Sequence, residues 1–254
     1  MINWIGLWTI FRKEIERTRT VIVQSIIAPT LTTALYFIVF GAAVGNQITT
    51  TGDVSYKQFI VPGLIMMALV TNAMIASASG IYFPRFLGII TDLLAAPMDF
   101  VEITFGYTIA AAVRATIIGV LIYLTALFFT PLPIAHPLFV LIFGFLSAWT
   151  FACLGMIMGL WAKDFERLFL IPSIVLTPLT FLGGVFYKID MLPPLWQKIT
   201  MLNPIFYMID GLRYGFFGIS STNHCVALSA ITVTLIITLT IIKHFFTIGY
   251  GLRK

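Results

Sequence analysis

The segment that decides the fold is residues 176–218, which reads LTPLTFLGGVFYKIDMLPPLWQKITMLNPIFYMIDGLRYGFFG. Its first part, Leu176–Tyr187, is free of charge and is typical of the end of a membrane-spanning helix. The rest is apolar but is interrupted by Pro193, Pro194 and Pro204, so it lacks the run of about 20 apolar residues that a crossing needs. The segment therefore predicts one crossing followed by helices that are too short to cross.

Two short helices are predicted after this crossing. Pro193 and Pro194 suit a first helical turn, and the helix that they start runs to about Met201. Asn203 stands directly before Pro204, which is a capping residue followed by proline at the first helical position. The helix that begins at Pro204 and runs to about Phe217 rises only about 21 Å, too little to span a bilayer.

Polar and aromatic residues mark the second short helix. Asp210 and Arg213 lie three residues apart on one face and are able to pair. Tyr207 and its aromatic neighbours are typical of a membrane interface. We expect the two helices to be re-entrant half-helices in the outer leaflet, with their ends protected by protein.

The composition extends the membrane prediction to the whole chain. Its 254 residues are 59% hydrophobic and 10% charged, whereas soluble domains carry about 25% charged residues. One soluble core cannot hide 23 phenylalanines, and two cysteines do not make a disulfide scaffold. Because the apolar runs are long and do not alternate, we predict an all-α membrane protein rather than a β-barrel.

Stretches without charge predict six transmembrane helices in a single domain. Residues 1–20 precede them, residues 84–102 form a cytoplasmic loop, and residues 188–223 hold the outer half-helices. The six spans lie at about 21–44, 58–83, 103–129, 138–162, 168–187 and 225–242.

The distribution of Lys and Arg predicts that both termini lie on the cytoplasmic side of the membrane. Anionic lipid of the inner leaflet accounts for the net charge of +5, so membrane lipid is an expected partner and nucleic acid is not. The cytoplasmic side then holds Arg12, Lys13, Arg17, Arg19, Arg85, Lys163, Arg167, Lys243, Arg253 and Lys254, and the outer side holds Lys57, Lys188, Lys198 and Arg213.

The first twenty residues predict an amphipathic helix at the membrane surface. Its polar face carries Arg12, Lys13, Glu16 and Arg17. The helix is either an anchor or a lever joined to a cytoplasmic partner. Its apolar face carries Trp4, Leu7, Trp8, Phe11 and Ile15.

The loop 84–102 contains a second short helix, with Asp92 on it and Pro97 at its end. This helix either packs on the ends of the spans or presents a ridge to a docking protein. Its apolar residues are Phe86, Leu87, Ile89, Ile90, Leu93 and Leu94.

Several spans contain residues that bend helices. Pro29 lies in the first, and Pro172 and Pro178 lie in the fifth. Proline frees a carbonyl group and kinks a helix, so the fifth span is predicted to bend or to line a pathway. Arg114 is the single charge at membrane depth; it faces a polar cavity, extends to the membrane surface or pairs with a helix carbonyl.

Motifs for catalysis and for ion coupling are missing from the sequence. It has no Walker-type G-x-x-x-x-G-K-S/T, no H-E-x-x-H and no G-x-S-x-G, and its three histidines are isolated from one another. No Asp or Glu falls within the six predicted spans, although ion-coupled transporters usually need one. If the chain moves substrate uphill, the energy therefore has to come from a separate protein.

Two stretches within the opening segment, LPPLW at 192–196 and LNPIFYMIDGLRYGFFG at 202–218, are accompanied by PRFLGIITDLLAAP at 84–97 and GLRK at 251–254. With the amphipathic first helix and the six spans, this arrangement resembles the membrane subunit of ABC-2 type transporters. One departure is FPRFLGI at 83–89, where many relatives carry Glu-Arg-x-x-Gly-Thr.

The resemblance implies a half-transporter of the bacterial inner membrane, without enzymatic activity. Two copies pair, and each binds a separate cytoplasmic ATPase that holds the ATP and magnesium, so this chain needs no cofactor of its own. By position, the coupling residues would be Arg12, Arg85, Phe86, Leu87, Asp92, Leu93, Leu94, Pro97 and Asp164.

The resulting hypothesis is an exporter of an amphipathic, lipid-like, glycan or drug substrate. Asn203, Pro204, Tyr207, Asp210 and Arg213 would belong to the outer half-helices that cap its path. The alternatives are a secondary transporter or channel that works without ATP, and a membrane-embedded lipid enzyme. The polar groups of the path would be Gln24, Thr32, Thr33, Thr71, Asn72, Arg114, Thr177 and Thr180.

Overall fold

The computed structural model describes residues 3–43 and 54–251, and within these ranges every element is helical. The predicted end of the first span at Val44 and the basic residues Arg253 and Lys254 lie outside the described residues. The helices are α1 Trp4–Thr20, α2 Ala28–Ala43, α3 Tyr56–Phe86, α4 Ile90–Ala95, α5 Phe100–Leu127, α6 Pro137–Trp161, α7 Phe165–Ile171, α8 Thr177–Leu182, α9 Pro194–Met201, α10 Pro204–Phe217 and α11 His224–Ile248.

Five helices of the described chain are long and apolar enough to cross a membrane: α3, α5, α6, α11 and the continuous helix Phe165–Leu182. A sixth is counted if α1 and Val23–Val39, which meet at 90°, form one bent span. The all-helical prediction is confirmed, and the predicted count of six agrees with the upper of these two numbers.

The centre of the bundle is the parallel contact between α3 and α6. Gly155 and Gly159 stand four residues apart on α6, and a Cβ atom on Gly155 would lie 2.1 Å from the carbonyl oxygen of Met74. At Gly159 the corresponding distance to the Ala78 carbonyl oxygen is 2.5 Å. This small-xxx-small pattern brings the two backbones into direct contact, as it does in many membrane helix pairs.

A second pair of glycines seats α10 against α6. A Cβ atom on Gly211 would lie within 2.2 Å of ring carbons of Phe143, and one on Gly215 within 2.9 Å of the backbone nitrogen of Val140. The short helix α10 is therefore part of the buried core, and its bounds Pro204–Phe217 confirm the prediction.

Two π-helical segments interrupt the first and fifth spans, at Val23–Ile27 and Pro172–Leu176. Each one ends two residues before a proline, Pro29 and Pro178 respectively. Proline has no amide hydrogen to give to the carbonyl four residues earlier, and the wider π turn accommodates this missing bond. Each interruption of the regular helical hydrogen bonds thus has a local cause, whereas the 90° bend near the first span lies between Thr20 and Val23 and not at Pro29.

The bundle has two distinct ends. At one end, the Asn3 amide donates to Glu102 and the Arg85 guanidinium donates to the Leu160 carbonyl. We call this the terminal end, because the Gly251 backbone also lies there. The other end, the far end, holds α9, α10 and the start of α11. Both ends of the described chain therefore lie on the same side of the bundle.

The predicted bounds of three elements need correction. Phe86 belongs to α3 and Leu87 to the turn after it, because Gly88 has a φ of 78° and α4 starts only at Ile90. The fifth span ends at Leu182 rather than Tyr187, since Gly184 also has a φ of 78°. The last helix continues six residues past the predicted end, to Ile248.

Candidate coupling surface and transport path

The start of α1 is fixed to the start of α5 at the terminal end. The Asn3 amide donates to Oε1 of Glu102 at 2.8 Å, and the Asp99 amide donates to Oε2 of the same carboxylate at 2.9 Å. The Asn3 side chain caps α1 by accepting from the Gly6 amide at 3.0 Å, and it donates to the Pro97 carbonyl at 3.2 Å. Because one carboxylate holds two elements, the position of α1 depends on Glu102.

The face of α1 that packs on the bundle is not its apolar face. Its buried residues are Ile10 and Glu14, whereas Trp4 and Trp8 are exposed by 69% and 60%. The tryptophans point away from the protein, which suits a helix that lies in the headgroup region. Arg12 is also exposed and pairs with Glu16 at 2.9 Å.

Arg85 is engaged within the chain. Its guanidinium donates to the carbonyl groups of Gly159, Leu160 and Ala162 at the C-terminal end of α6. A cation at this position is favoured by the partial negative charge of a helix C-terminus. The geometry gives Arg85 a positioning role between α3 and α6, in addition to the coupling role predicted for it.

An apolar ridge is exposed at the terminal end. Phe86, Leu87 and Ile89 are exposed by 66%, 64% and 46%, and Leu94 by 39%. Asp92 and Pro97 are exposed beside them, while Leu93 is half-buried. We call Phe86, Leu87, Ile89 and Leu94 the terminal ridge. Asp164, at the start of α7, is also exposed and pairs with Arg167 at 3.2 Å.

A buried charge cluster joins α1 to α3. Arg17 contacts Oε2 of Glu14 at 3.2 Å and donates to the Ser79 hydroxyl at 3.2 Å. Burial raises the pKa of the Glu14 carboxyl, and the positive charges of Arg17, Lys13 and Arg114 act in the opposite direction. Sequence reasoning did not single out Glu14, although its position one turn after the apolar Ile10 was a usable signal.

Arg114 supports the first π segment. Its guanidinium donates to the Ser25 carbonyl at 3.4 Å, which is the carbonyl that Pro29, four residues later, cannot bond. Of the three roles that the sequence left open for Arg114, the geometry therefore favours the contact with a helix carbonyl.

The polar residues predicted to line the path are divided among different surroundings. Three of them are exposed among apolar side chains of the same helices: Gln24, Thr32 and Thr177. Two are half-buried, Thr71 and Asn72, and two are buried, Thr33 and Thr180. Several of them bond their own helix, as Thr32 does to Ala28 and Asn72 to Ala68. The three exposed residues all belong to the two spans that contain π segments.

At the far end, the Asn203 side chain joins α10 to α8. Its side chain accepts from the Ile205 amide at 3.0 Å, which confirms the predicted cap, and it donates to the Leu179 carbonyl of α8 at 2.6 Å. Pro204 is the first residue of α10, as predicted. The Tyr207 hydroxyl donates to the Met201 carbonyl of α9 at 2.8 Å.

The predicted pairing of Asp210 with Arg213 is wrong. The Asp210 carboxylate accepts from the Ser221 and Thr222 amides at 2.8 and 2.9 Å and from the Thr222 hydroxyl at 2.6 Å. Arg213 donates instead to the Gly184 and Val185 carbonyls at 2.6 and 3.2 Å. Asp210 and Arg213 therefore each bond groups of a loop and not each other.

These features define a multi-pass, all-helical membrane protein with an exposed apolar ridge at one end. Comparison with known proteins agrees with this class. Residues 6–217 match the family model described as ABC-2 type transporter. The chain belongs to the ABC-2 type transporter family, whose membrane subunits work with a partner ATP-binding subunit.

Individual relatives extend the likeness over the whole chain. It is 40% identical to the Inner membrane transport permease YadH of Escherichia coli K12, over all of this chain and 99% of that protein. It is 24% identical to Nodulation protein J of Rhizobium leguminosarum bv. viciae over 93% of this chain and 90% of that protein. With its apolar helices, the chain is thus a multi-pass inner-membrane protein.

Proposed function

We propose that two copies of this chain form the membrane part of an ATP-driven exporter, with an ATP-binding subunit docked on the terminal end of each copy. The terminal end would face the cytoplasm, since eight of the thirteen Lys and Arg residues in the described part of the chain belong to that side, as the positive-inside rule requires. ATP and magnesium would be held by the ATP-binding subunit.

The terminal ridge is the observation that carries the docking proposal. Its side chains are large, apolar and exposed, and they stand together at the end of α3 and on the turn and short helix that follow it, so they form a patch of the kind that marks interaction sites. The ridge is also well positioned to transmit force, since α3 ends at Phe86 and is bound to α6 through Arg85. Movement of the ridge would therefore act on the central helix pair.

The transport path is proposed to lie beside the two spans with π segments. In the most apolar 18 residues of Phe165–Leu182 only 24% are buried in the chain, whereas in α3 the corresponding share is 72%. Exposed Gln24, Thr32 and Thr177 place sparse polar groups on these surfaces. A mostly apolar wall of this kind suits a large amphipathic substrate better than an ion.

Site-directed cross-linking tests the docking proposal. In a chain with Cys153 and Cys225 replaced by Ser, Leu87→Cys should cross-link to the co-expressed ATP-binding subunit. Leu202→Cys is the matched control, because Leu202 is 84% exposed but lies at the far end. Capture at Leu202, or no capture at Leu87 by a folded and co-purified complex, would contradict the proposal.

Transport by reconstituted proteoliposomes tests the energy source. The complex should show ATPase activity that is stimulated by its substrate, which a screen of lipids, glycans and drugs would identify. Leu87→Asp should abolish this stimulation while Leu202→Asp leaves it intact. Uphill transport by the purified chain alone would instead support the secondary transporter.

A further inference from the structure

A cavity of about 350 Å³ opens at the far end. It lies between the start of α3, the loop that follows α8 and the end of α10. Its volume falls within the range of small-molecule sites, about 300–1,000 Å³. Aromatic and apolar side chains form much of its wall, and the polar groups include Lys188 and Arg213.

Arg213 is a buried cation at this cavity. Only 7% of the residue is exposed, and the central carbon of its guanidinium lies 3.8 Å from the centroid of the Phe59 ring. One terminal nitrogen donates to two carbonyl groups, but the buried Nε has no hydrogen-bond partner. Leaving a donor of a charged group unpaired in a buried position is costly, so such a donor is expected to find an acceptor.

A second cation lies against the same ring. The Nζ atom of Lys188 is 5.8 Å from the Phe59 centroid. Among the described residues, neither Lys188 nor Arg213 has a carboxylate within salt-bridge distance. The two carboxylates of the cavity are differently occupied, because Asp210 already accepts three hydrogen bonds and Asp190 lies at the solvent-exposed rim.

We propose that this cavity binds the phosphate or carboxylate group of an amphipathic molecule, whose apolar part lies against Phe59 and Phe217. The anion would satisfy Arg213 and Lys188 together, through the short, charge-assisted hydrogen bonds that such pairs form. The molecule is either a lipid that offers its headgroup or a smaller soluble amphiphile. This inference goes beyond the proposed function, because the binding requires neither an ATP-binding subunit nor transport.

Calorimetric titration of the isolated, detergent-solubilised chain with decyl phosphate tests the proposal. We expect saturable binding of one molecule per chain. Lys188→Gln should weaken it about tenfold, the effect of losing one charge-assisted hydrogen bond. Ser220→Trp, which places a large ring into the cavity from an exposed loop, should abolish it.

The controls separate the site from general partitioning into detergent. Lys198→Gln removes a lysine of the same end that does not line the cavity, and it should leave the affinity unchanged. Decanol, which has the same alkyl chain without the anion, should not compete. Equal binding by the Lys188→Gln, Ser220→Trp and Lys198→Gln variants, or equal competition by decanol, would overturn the proposal.

Two further competitors identify the source of the anion. Displacement of decyl phosphate by inorganic phosphate would assign the site to a soluble anionic group. Displacement by dihexanoyl phosphatidylglycerol and not by inorganic phosphate would assign it to a lipid headgroup. Arg213→Lys, checked for folding by its unfolding midpoint, should also weaken binding about tenfold. An ammonium group cannot bond the two backbone carbonyl groups and the anion in the same planar arrangement as the guanidinium.

Discussion

The core formed by α3, α6 and α10 differs from the two spans with π segments in packing rather than in apolar character. All are apolar enough to cross or enter a membrane, yet α3 is mostly buried in the chain and Phe165–Leu182 is mostly exposed. In the core, glycines bring backbones together; in the other two spans, prolines interrupt the regular hydrogen bonds. The comparison teaches that hydropathy selects the membrane, whereas close glycine contacts accompany burial in the chain. Proline alone does not separate the two regions, since α3 also contains Pro62 and Pro84.

Adding one methyl group to the core gives the largest expected effect. Gly155→Ala places a Cβ atom 2.1 Å from the Met74 carbonyl oxygen, and because that neighbour is backbone it has to move. We expect a loss of about 3 kcal/mol or more, the upper range for overpacking. The measurement is the unfolding midpoint in detergent.

Gly144→Ala is the matched control on the same helix. The nearest atom to its added Cβ would be Leu69 Cδ1 at 3.9 Å, which is ordinary contact. This variant should keep or slightly raise the midpoint, since alanine favours the helix. If both variants destabilised equally, the close contact of α3 with α6 would not be what stabilises the core.

The second-largest effect on stability is expected at Asn203, the residue that joins the two regions. Asn203 caps α10 in the core and bonds Leu179 in α8 of the exposed span. Asn203→Ala should cost about 2 kcal/mol, the sum of a lost cap and a lost hydrogen bond. Protease accessibility of the far end, measured on the folded chain, should rise.

Asn223→Ala separates the two contributions of Asn203. Asn223 caps α11 by accepting from the Cys225 amide at 2.9 Å, with no second bond to another helix among the described residues. It should cost about 1 kcal/mol, the typical value of a cap alone. Unchanged protease accessibility in Asn203→Ala would refute the role of this residue as the junction.

The smallest effect on stability is expected in the exposed spans. Pro178→Ala restores an amide hydrogen and allows regular helix to replace the π segment, so the free energy of unfolding should change by less than about 1 kcal/mol. Substrate-stimulated ATPase activity of the complex should nevertheless fall severalfold. A variant with wild-type stimulation would show that the break in the helix is dispensable.

Local signals account for what the sequence predicted well. The bounds of α10 follow from Asn203, Pro204 and Gly218, which act within one or two residues of the helix ends. The π segments of the first and fifth spans likewise end two residues before Pro29 and Pro178. Such signals need no knowledge of the neighbouring helices.

Partners that are distant in the sequence account for what could not be predicted. Asp210 and Arg213 are spaced along the helix so that they could pair. In the folded chain, however, Asp210 bonds the Ser221 and Thr222 amides and Arg213 bonds the Gly184 carbonyl. The inward face of α1 is set by its contact with α5, where Gly106 meets Ile10. The sequence left open whether the apolar residues of loop 84–102 pack on the spans or form an exposed ridge, and only the fold shows that Phe86, Leu87, Ile89 and Leu94 are exposed.

The bond from Arg114 to the Ser25 carbonyl has an evolutionary consequence. Arginine at 114 is useful where residue 29 leaves that oxygen without its usual donor, and it is a burden where a regular residue supplies one. Positions 29 and 114 should consequently covary, so that an alignment of homologous sequences would show substitutions at one position accompanied by substitutions at the other.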